Sequence, residues 1–306
     1  MHMSSDPVFD TSAARPYASS RCLPDTLLWS WLHEDAPYGD LTTDSLPLRG
    51  RSARMDFFAR ESCTVACVEE AVRLVELCGG QASLAAVSGE RVLPGQALLH
   101  AQGDAPALLL AWKVAQTLVE VASGIATATA LLVRMLAEAG HHVPVACTRK
   151  NIPGTRALAV RAVQAGGGVM HRCGLSETLL VFPEHRALLA PGLWPEALTG
   201  MGRSQPERKR VVEVTDIDQA MLAAAGGAEV LQLERFAPEQ LAALRQRLDQ
   251  DGRRPAPALA VAGGVTPATA LDYARAGADM LVTSWPYMAP RADVKVTVSA
   301  AGEGAP

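Results

Sequence analysis

The second half of the chain alternates between short apolar runs and longer segments in which apolar residues recur at helical spacing. Each run is rich in valine, leucine and alanine, and each is followed by one such segment. This alternation predicts parallel strands with helices outside them, in a barrel or a doubly wound sheet. The runs occupy 143–147, 178–182, 210–214, 229–233, 258–262 and 279–283.

The first half has a less regular pattern. Residues 25–33 carry apolar positions at helical spacing, with Asp25 as the expected N-cap. Two strand-like segments flank Pro94 and Gly95, which predicts a hairpin with a Pro-Gly turn. The other predicted elements are a helix at 68–78 and strands at 53–60 and 63–67.

A long helical tract covers residues 105–140. Ser123 and Gly124 interrupt it, so the sequence predicts two helices that meet at a bend. Lys113 is an isolated charge among the apolar positions of the first helix. It is either a solvated surface lysine or a cation directed at an anion, and the pattern leaves both interpretations open.

The change of pattern near Gly124 divides the chain into two predicted domains. Residues 1–20 are polar and without periodicity, so we expect a flexible N-terminus there. The first domain covers 21–124 and also includes the final segment, about 286–306, which contains a strand-like run. The second domain covers 125–285.

Composition narrows the classes of function. Hydrophobic residues make up 49% of the 306 positions, and the net charge of -4 argues against a nucleic-acid partner. The six cysteines show no CxxC spacing, so we expect reduced thiols without a zinc site or disulfide framework. No signal-peptide pattern opens the chain, and no uninterrupted apolar run approaches a membrane span. We therefore expect a cytoplasmic protein without a membrane partner.

Positive side chains collect at matching points of two successive units. The first predicted strand runs into Thr148, Arg149 and Lys150, and a three-glycine segment leads into His171 and Arg172. Side chains at the carboxyl ends of parallel strands meet over one mouth. Such a mouth suits a carboxylate or a phosphate, because the arginine fork donates two parallel hydrogen bonds.

The later strand ends carry carboxylates, glycines and hydroxyls. Glu213 lies near the end of one predicted strand, and Glu234 ends the next. Gly263 and Gly264 follow a third strand, before a helix predicted from Thr266. This arrangement is typical of phosphate sites, because a glycine backbone can approach closely and a helix N-terminus offers free N–H groups. The last predicted strand ends in Thr283 and Ser284.

Together these strand ends indicate a reaction class. Two carboxylates can hold a divalent metal, bind ribose hydroxyls or stabilise a developing oxocarbenium ion. With a phosphate site and a second anion site, they fit displacement of pyrophosphate from a phosphoribosyl donor by an aromatic nitrogen nucleophile bearing an acid group. Taken singly, the same residues also fit solvated loop charges, ion pairs within the barrel and a tight turn.

Longer motifs add a family resemblance. The segment 148–181 reads TRKNIPGTRALAVRAVQAGGGVMHRCGLSETLLV, and AVAGGVT and AGADMLVTSWPY follow it. With these motifs the chain resembles quinolinate phosphoribosyltransferase, also called nicotinate-nucleotide pyrophosphorylase (carboxylating), over roughly residues 25–290. The segments PYGDLTT, WKVAQTLVEVASGIAT, HRCGLSET and TSWPY favour a sister branch of that family, the molybdenum-transport-associated pyrophosphorylases called ModD.

The resemblance implies an α/β fold with an N-terminal α/β sandwich domain and a C-terminal open (β/α) barrel. It also implies a homodimer, in which the partner's N-terminal domain completes each site. Mg²⁺ would be the cofactor, and 5-phosphoribosyl 1-pyrophosphate the co-substrate.

The resemblance also implies roles for individual residues. Lys150, Glu213 and Glu234 would be catalytic, and the two carboxylates would hold the metal. The residues implied to bind the acid groups of the acceptor are Lys113, Arg149, His171 and Arg172. Those implied to bind phosphate are Gly263, Gly264, Thr283 and Ser284.

Four positions depart from the quinolinate enzymes. Those enzymes have arginine in place of Lys113, lysine in place of Phe182, aspartate in place of Glu234 and serine in place of Ala262. Fewer cations make a doubly anionic acceptor less favourable, so we expect phosphoribosyl transfer to a small anionic nitrogen heterocycle. The alternatives are an authentic quinolinate phosphoribosyltransferase of NAD synthesis and a non-catalytic oxyanion or metabolite binder of molybdenum uptake.

Overall fold

The structure is a computed structural model that describes residues 22–190, 192–252 and 255–301. The flexible N-terminus predicted at 1–20 lies outside the described residues. The chain divides into two compact units. The first unit is Met1–Val119 with Asp293–Pro306, and the second is Glu120–Ala292.

The elements of the first unit precede and follow those of the second. The first unit contains α1 (Asp25–Asp35), α2 (Leu41–Asp44), β1 (Ser52–Ala59), β2 (Cys63–Thr64), α3 (Val68–Leu77), β3 (Gln81–Leu84), β4 (Arg91–Val92) and β5 (Ala97–Asp104). Helix α4 (Ala105–Glu138) passes from the first unit into the second.

The second unit alternates strands and helices, as its sequence pattern predicts. It contains β6 (Val145–Cys147), α5 (Arg156–Ala165), β7 (Val169–Met170), β8 (Leu179–Val181), α6 (Pro183–Ala187), α7 (Trp194–Ser204), β9 (Arg210–Val214), α8 (Ile217–Ala225), β10 (Val230–Glu234), α9 (Pro238–Asp251), β11 (Ala258–Ala262), α10 (Ala270–Arg275), β12 (Met280–Thr283) and a 3₁₀ helix (Trp285–Met288). Strand β13 (Val294–Ala300) then belongs to the first unit.

The first unit is built on an antiparallel sheet in the order β13-β1-β5-β3. Met55 and Phe57 of β1 are fully buried on one face, and α3 packs against β3 and β5. Asp56, which lies between them, faces the other side of the sheet, because side chains alternate along a strand. There Asp56 accepts a 2.7 Å hydrogen bond from Arg54 Nε, and its Oδ1 lies 2.6 Å from His100 Nδ1.

Two local predictions in this unit are wrong. The segments around the Pro-Gly turn do not form a hairpin, because β4 pairs with β2 while β5 joins the larger sheet between β1 and β3. Strand β3, which pairs with β5, is mostly exposed and has no apolar run, so the sequence pattern did not reveal it. Asp25 lies inside α1, where it pairs with Arg73, and Pro24 occupies the N-cap.

The long tract forms one continuous helix, α4, so the predicted bend at Ser123 and Gly124 is also wrong. A Cβ atom at Gly124 would lie 2.3 Å from the backbone oxygen of Pro290. The glycine therefore permits a close backbone contact rather than a change of helix direction.

Among the described helices, α4 alone is long and apolar enough to span a membrane, but 56% of its most apolar 18-residue segment is buried within the protein. Such burial is typical of a core helix.

The second unit is a curled parallel sheet in the order β7-β6-β12-β11-β10-β9-β8. Strands β7 and β8 are consecutive in the chain but lie at opposite edges, so the barrel is open. Together with the antiparallel sheet of the first unit, this open parallel barrel confirms the predicted fold class. Strand β7 was missed, because two residues within a glycine-rich segment give no period.

Parallel register brings equivalent strand positions to the same level of the barrel. Large apolar side chains pack between the sheet and its outer helices, and smaller ones line the concave face. The buried apolar residues of that face are Ala146, Leu180, Val211, Val230, Ala260, Ala262 and Val282. They form a floor beneath the carboxyl ends of the strands.

Candidate active site

A cavity of about 440 Å³ lies at the carboxyl ends of the barrel strands, above the apolar floor. Its size is within the usual range for small-molecule sites. Of the residues predicted for the site, all except Lys113 line it. They are Arg149, Lys150, His171, Arg172, Glu213, Glu234, Gly263, Gly264, Thr283 and Ser284. The barrel therefore brings the basic, acidic and glycine segments to one place.

The basic side of the cavity begins where β6 ends. Thr148 N donates to Thr283 O at 2.9 Å, and the Thr148 hydroxyl lies 2.6 Å from that of Ser284. Lys150 N donates to the Thr148 hydroxyl at 3.2 Å, so the backbone that presents Arg149 and Lys150 is anchored to β12. The charged ends of these two side chains remain available to the cavity.

His171 and Arg172 follow the short strand β7. His171 N donates to Cys147 O at 2.9 Å, which continues the pairing of β7 with β6. Burial lowers the pKa of His171, and the adjacent Arg172 lowers it further, so this imidazole is neutral near pH 7. The structure therefore gives the basic side three full positive charges rather than four.

Arg172 is the most enclosed of these cations, with 7% of its surface exposed. Its guanidinium carbon lies 5.8 Å from the centroid of the Phe182 ring, within reach of a cation–π contact. Burial lowers the pKa of Arg172, and the like charge of Arg149 acts in the same direction. A guanidinium remains charged under such shifts, so a buried anion here would find a permanent partner.

The acidic side lies on β9 and β10. Register pairs Glu213 with Gln232, and Gln232 Nε2 donates to Glu213 Oε2 at 2.6 Å. Burial raises the pKa of Glu213 above its ordinary value; Gln232 and Lys150 oppose this shift, while Glu234 adds to it. The two carboxylates therefore influence each other, as expected of groups that share a site.

Glu234 is held by the turn after β11. A Cβ atom at Gly263 would lie 2.6 Å from Glu234 Oε1, and the glycine has a φ of +77°. Both features require glycine, so Gly263 makes room for the carboxylate itself. Arg235 Nε lies 3.6 Å from the same oxygen, although its side chain is 85% exposed.

The predicted phosphate segment differs from expectation in its helix. Helix α10 begins at Ala270, not at Thr266, and Thr266 N donates to the Thr269 hydroxyl at 3.0 Å. The Thr283 hydroxyl is also engaged, because it donates to Val265 O and accepts from Trp285 N. Gly264 has open space where a Cβ atom would lie, which leaves its backbone accessible.

Lys113 lies in the first unit and does not line the barrel cavity. Its Nζ is 4.1 Å from the centroid of Trp112 and 3.3 Å from Gln116 Oε1. It borders a separate hollow with Asp40 and Thr42, in the segment that forms the capped turn of α2. Within a single chain, Lys113 is thus an exposed lysine on an aromatic ring.

Sequence reasoning did not single out Gln232, Trp285 or Met288, which also line the cavity. Gln232 could have been found, because it precedes Glu234 by two positions on one strand and must share its face. Trp285 and Met288 lie in a 3₁₀ helix after the last strand, and no periodic pattern marks them.

A parallel barrel with basic and acidic groups around one cavity is typical of enzymes that bind anionic substrates. The C-terminal domain model of quinolinate phosphoribosyl transferase matches residues 125–297 of the chain, and the N-terminal domain model matches residues 40–123. The chain belongs to the quinolinate phosphoribosyl transferase family.

Individual relatives place it more closely. The chain is 47% identical over 255 residues to a Rhodobacter capsulatus protein named pyrophosphorylase ModD, covering 83% of this chain and 97% of the relative. It is 35% identical over 255 residues to the nicotinate-nucleotide pyrophosphorylase (carboxylating) of Mycobacterium leprae, covering 82% and 88%. The solved pyrophosphorylase of Francisella tularensis shares the fold, with a TM-score of 0.82 at 23% identity, covering 90% of this chain and 98% of that one. The protein is a ModD-like pyrophosphorylase of this family, with a phosphoribosyltransferase activity.

Proposed function

We propose that this enzyme transfers a phosphoribosyl group from 5-phosphoribosyl 1-pyrophosphate to a small nitrogen heterocycle that carries one acid group. One observation carries the proposal: unpaired cations face a pair of carboxylates across a single cavity. In the described residues, no ion pair engages Arg149, Lys150 or Arg172. Charges left unpaired inside a cavity favour an anionic ligand that completes them.

Arg149 and Arg172 would bind the acid group of the acceptor. Arg172 is buried beside Phe182, so the same region offers a positive charge and an apolar ring. A planar heterocycle can place its carboxylate on the guanidinium groups and its ring edge on Phe182. A second acid group on that edge would meet the Phe182 ring without a cation to pair with it, which favours a mono-acid.

Transfer would be a nucleophilic substitution at C1 of the ribose. The C1–O bond to pyrophosphate breaks and takes its electron pair with the leaving group, while the lone pair of the acceptor nitrogen forms the new C1–N bond. Glu213 and Glu234 would stabilise the positive charge that develops on the ribose, and Lys150 would balance the negative charge between acceptor and donor. Placement and electrostatics supply the acceleration, without a covalent nucleophile.

Mg²⁺ fits the donor set of the acidic side. No group of three or more metal-ligating side chains occurs in the described parts of the chain. Mg²⁺ does not need one, because it usually binds one or two carboxylates together with water and substrate phosphates. Glu213 and Glu234 would hold the ion, which when bound would neutralise charge on the departing pyrophosphate. Gly264 and Ser284 would accommodate the 5-phosphate of the donor.

The proposal extends to a homodimer. Lys113 lies on an exposed part of the first unit and lines no barrel cavity in its own chain. A second copy would let Lys113 approach the acceptor site of its neighbour and add the fourth cation. The alternative acceptor, quinolinate itself, would need that cation, because its second carboxylate would face Phe182.

The decisive experiment is a screen of heterocyclic acids for pyrophosphate release that depends on the phosphoribosyl donor and Mg²⁺. We expect release with at least one mono-acid, and little nicotinate mononucleotide from quinolinate. Efficient conversion of quinolinate would support an authentic quinolinate phosphoribosyltransferase instead. If no acid reacts and calorimetry detects binding of acids or oxyanions but not of the donor, the protein is a non-catalytic binder.

A further inference from the structure

Helix α6 carries Phe182 at its N-cap, but the hydrophobic core does not hold this helix in place. None of its five residues is buried, and in the described part of the chain its backbone hydrogen bonds stay within 182–189. The Phe182 ring stacks on His185 of the same helix, with 5.8 Å between the ring centroids. The position of α6 therefore determines where the Phe182 ring stands in the cavity.

The strand ladder beside α6 lacks one hydrogen bond. Strand β8 pairs in parallel with β9, and Leu179 N donates to Lys209 O at 3.2 Å. Donors recur at every second residue along such a ladder, so residue 183 would donate to Glu213 O. Residue 183 is proline, which has no backbone N–H group. The proline thus ends the ladder and leaves the Glu213 carbonyl open to another donor.

Arg186 supplies the donor that Pro183 lacks. Its Nη2 group donates to Glu213 O at 3.0 Å. Its Nη1 and Nη2 groups also donate to Gln219 Oε1 on α8, at 3.3 and 3.2 Å. The guanidinium carbon lies 5.2 Å from the centroid of the Trp194 ring on α7. Among the described residues of α6, Arg186 alone forms hydrogen bonds to other elements, so it is the tether of this helix.

The hydrogen-bond acceptor on α8 is itself held in one orientation. Gln219 Nε2 donates to Asp216 and to the Thr215 hydroxyl, so Gln219 Oε1 faces Arg186. The backbone N–H of Gln219 donates to Asp216 Oδ1 at 2.8 Å, which caps α8. Arg186 does not belong to the residues that line the cavity. It therefore acts on the site only through the strand and the helices that it connects.

We propose that Arg186 is a positioning residue that fixes α6, and with it Phe182, relative to the strand that carries Glu213. The inference rests on the proposed function, in which Phe182 faces the acceptor and Glu213 faces the donor. Arg186 then sets the distance between the attacking nitrogen and C1 of the ribose. Transfer depends on that distance, because reacting atoms must lie about 3–3.5 Å apart, whereas binding of each substrate alone does not.

Hydrogen exchange followed by mass spectrometry tests the tether without reference to activity. Arg186→Met keeps an unbranched side chain beside Trp194 but removes every guanidinium donor. Amide exchange in the peptide 184–189 should become about tenfold faster, because opening of α6 no longer breaks the bonds to Glu213 and Gln219. Arg186→Lys should give an intermediate rate, since an ammonium can replace one of these bonds but not the planar fork.

Pyrophosphate release gives the second readout, with 5-phosphoribosyl 1-pyrophosphate as the donor and nicotinate as the acceptor. In Arg186→Met we expect kcat to fall by about 30-fold, because a misplacement of about 1 Å can cost about 100-fold. The calorimetric Kd of each ligand should stay within about threefold of the parent value, as expected when only the transition state is affected. Arg186→Lys should recover part of the lost kcat.

Arg247→Met is the matched control, because it also removes an arginine that contacts α8. Arg247 reaches that helix from α9 and pairs with Asp218 at 2.9 Å. We expect the control to leave both the exchange of 184–189 and kcat at their parent values.

Faster exchange of α6 together with a selective fall in kcat supports the proposal. Unchanged exchange in Arg186→Met overturns it, as does an unchanged kcat despite faster exchange. A large fall in melting temperature with weaker binding of both ligands also overturns it, because Arg186 would then be a structural residue. If the parent protein releases no pyrophosphate with any heterocyclic acid, the proposed function alone fails, because the exchange of α6 still decides whether Arg186 fixes this helix.

Discussion

The two sides of the cavity are constructed differently. The basic side consists of side chains that follow β6 and β7, and the described structure gives Arg149, Lys150 and Arg172 no ion-pair partner. The acidic side lies on the strands themselves, where Glu213 is bonded to Gln232 and Glu234 packs on a glycine. One side is thus incomplete without a ligand, whereas the other is already organised.

Some arginines elsewhere in the same unit do have a carboxylate partner. Arg210 lies 3.2 Å from Glu229, and Arg245 lies 2.6 Å from Asp279. These two arginines are paired with carboxylates, whereas no carboxylate of the described residues lies within ion-pair distance of Arg149 or Arg172. On the proposed function, the acceptor would supply the missing anion, and the carboxylates would stabilise positive charge that develops during the reaction.

The largest expected effect comes from breaking the basic side. Arg149→Ala should weaken acceptor binding by about 100-fold, because it removes charge-assisted hydrogen bonds to the acid group. Donor binding should persist, since the acidic and glycine segments are untouched. Calorimetry with each ligand measures the two affinities separately.

Arg247→Ala is the matched control for that variant. Arg247 lies outside the cavity and pairs with Asp218 at 2.9 Å, so its removal should change neither affinity. An acceptor affinity in Arg149→Ala equal to that of the control would show that Arg149 does not bind the acid group.

Breaking the acidic side should give the next largest effect. Gly263→Ala introduces a Cβ atom 2.6 Å from Glu234 Oε1 at a φ of +77°. We expect it to lower the free energy of unfolding by about 2 kcal/mol and to displace the Glu234 carboxylate. Urea denaturation measures the first effect, and donor affinity measures the second.

Gly264→Ala distinguishes the effect of backbone strain from the effect of displacing the Glu234 carboxylate. Its φ of +98° is also unfavourable for alanine, but no atom lies within 4 Å of the added Cβ. It should therefore cost less stability than Gly263→Ala. Equal losses in the two variants would mean that backbone strain, and not the contact with Glu234, requires Gly263.

A smaller effect is expected from a variant that adds one positive charge to the basic side. Phe182→Lys places a cation beside Arg172 and removes the apolar ring. Relative turnover of a dicarboxylate over a mono-acid should rise about fivefold, because one new ion pair at a partly exposed site contributes about 1 kcal/mol. Competition between quinolinate and nicotinate measures this ratio.

Phe182→Leu provides the control, since it shortens the ring without adding charge. Its preference between the two acids should stay close to that of the parent protein. A similar rise in both variants would indicate that the Phe182 ring acts by steric exclusion rather than by the lack of a cation.

Much of this arrangement could be predicted, because it follows from periodicity. Strands β9 and β11 begin and end where the apolar runs do, at 210–214 and 258–262. Once the barrel strands are placed, their carboxyl ends must meet, so Arg149 and Glu234 were expected at one mouth. Local pattern is informative there because each buried strand needs a continuous apolar run.

The errors arose where contacts distant in sequence decide the structure. Gly124 was interpreted as a bend, but the residue that requires it, Pro290, is far along the chain. The partner of β4 is β2 rather than β5, a choice that the adjacent Pro-Gly turn does not reveal. The sequence places Gln232 on the same strand face as Glu234, but its pairing with Glu213 depends on strand register, which the sequence does not define.

The smallest expected effect concerns pH and the one neutral member of the basic side. Burial and Arg172 lower the pKa of His171 below its usual value of 6.5, so the unfolded chain binds this proton more readily than the folded one. Stability should therefore be complete above pH 6.5 and fall as pH decreases toward the folded pKa. His171→Asn cannot take up the proton, so its unfolding free energy should vary less steeply in this window. Urea denaturation between pH 5 and 7 compares the two slopes. Identical slopes would show that the pKa of His171 is the same in the folded and unfolded chains, so that burial and Arg172 do not lower it.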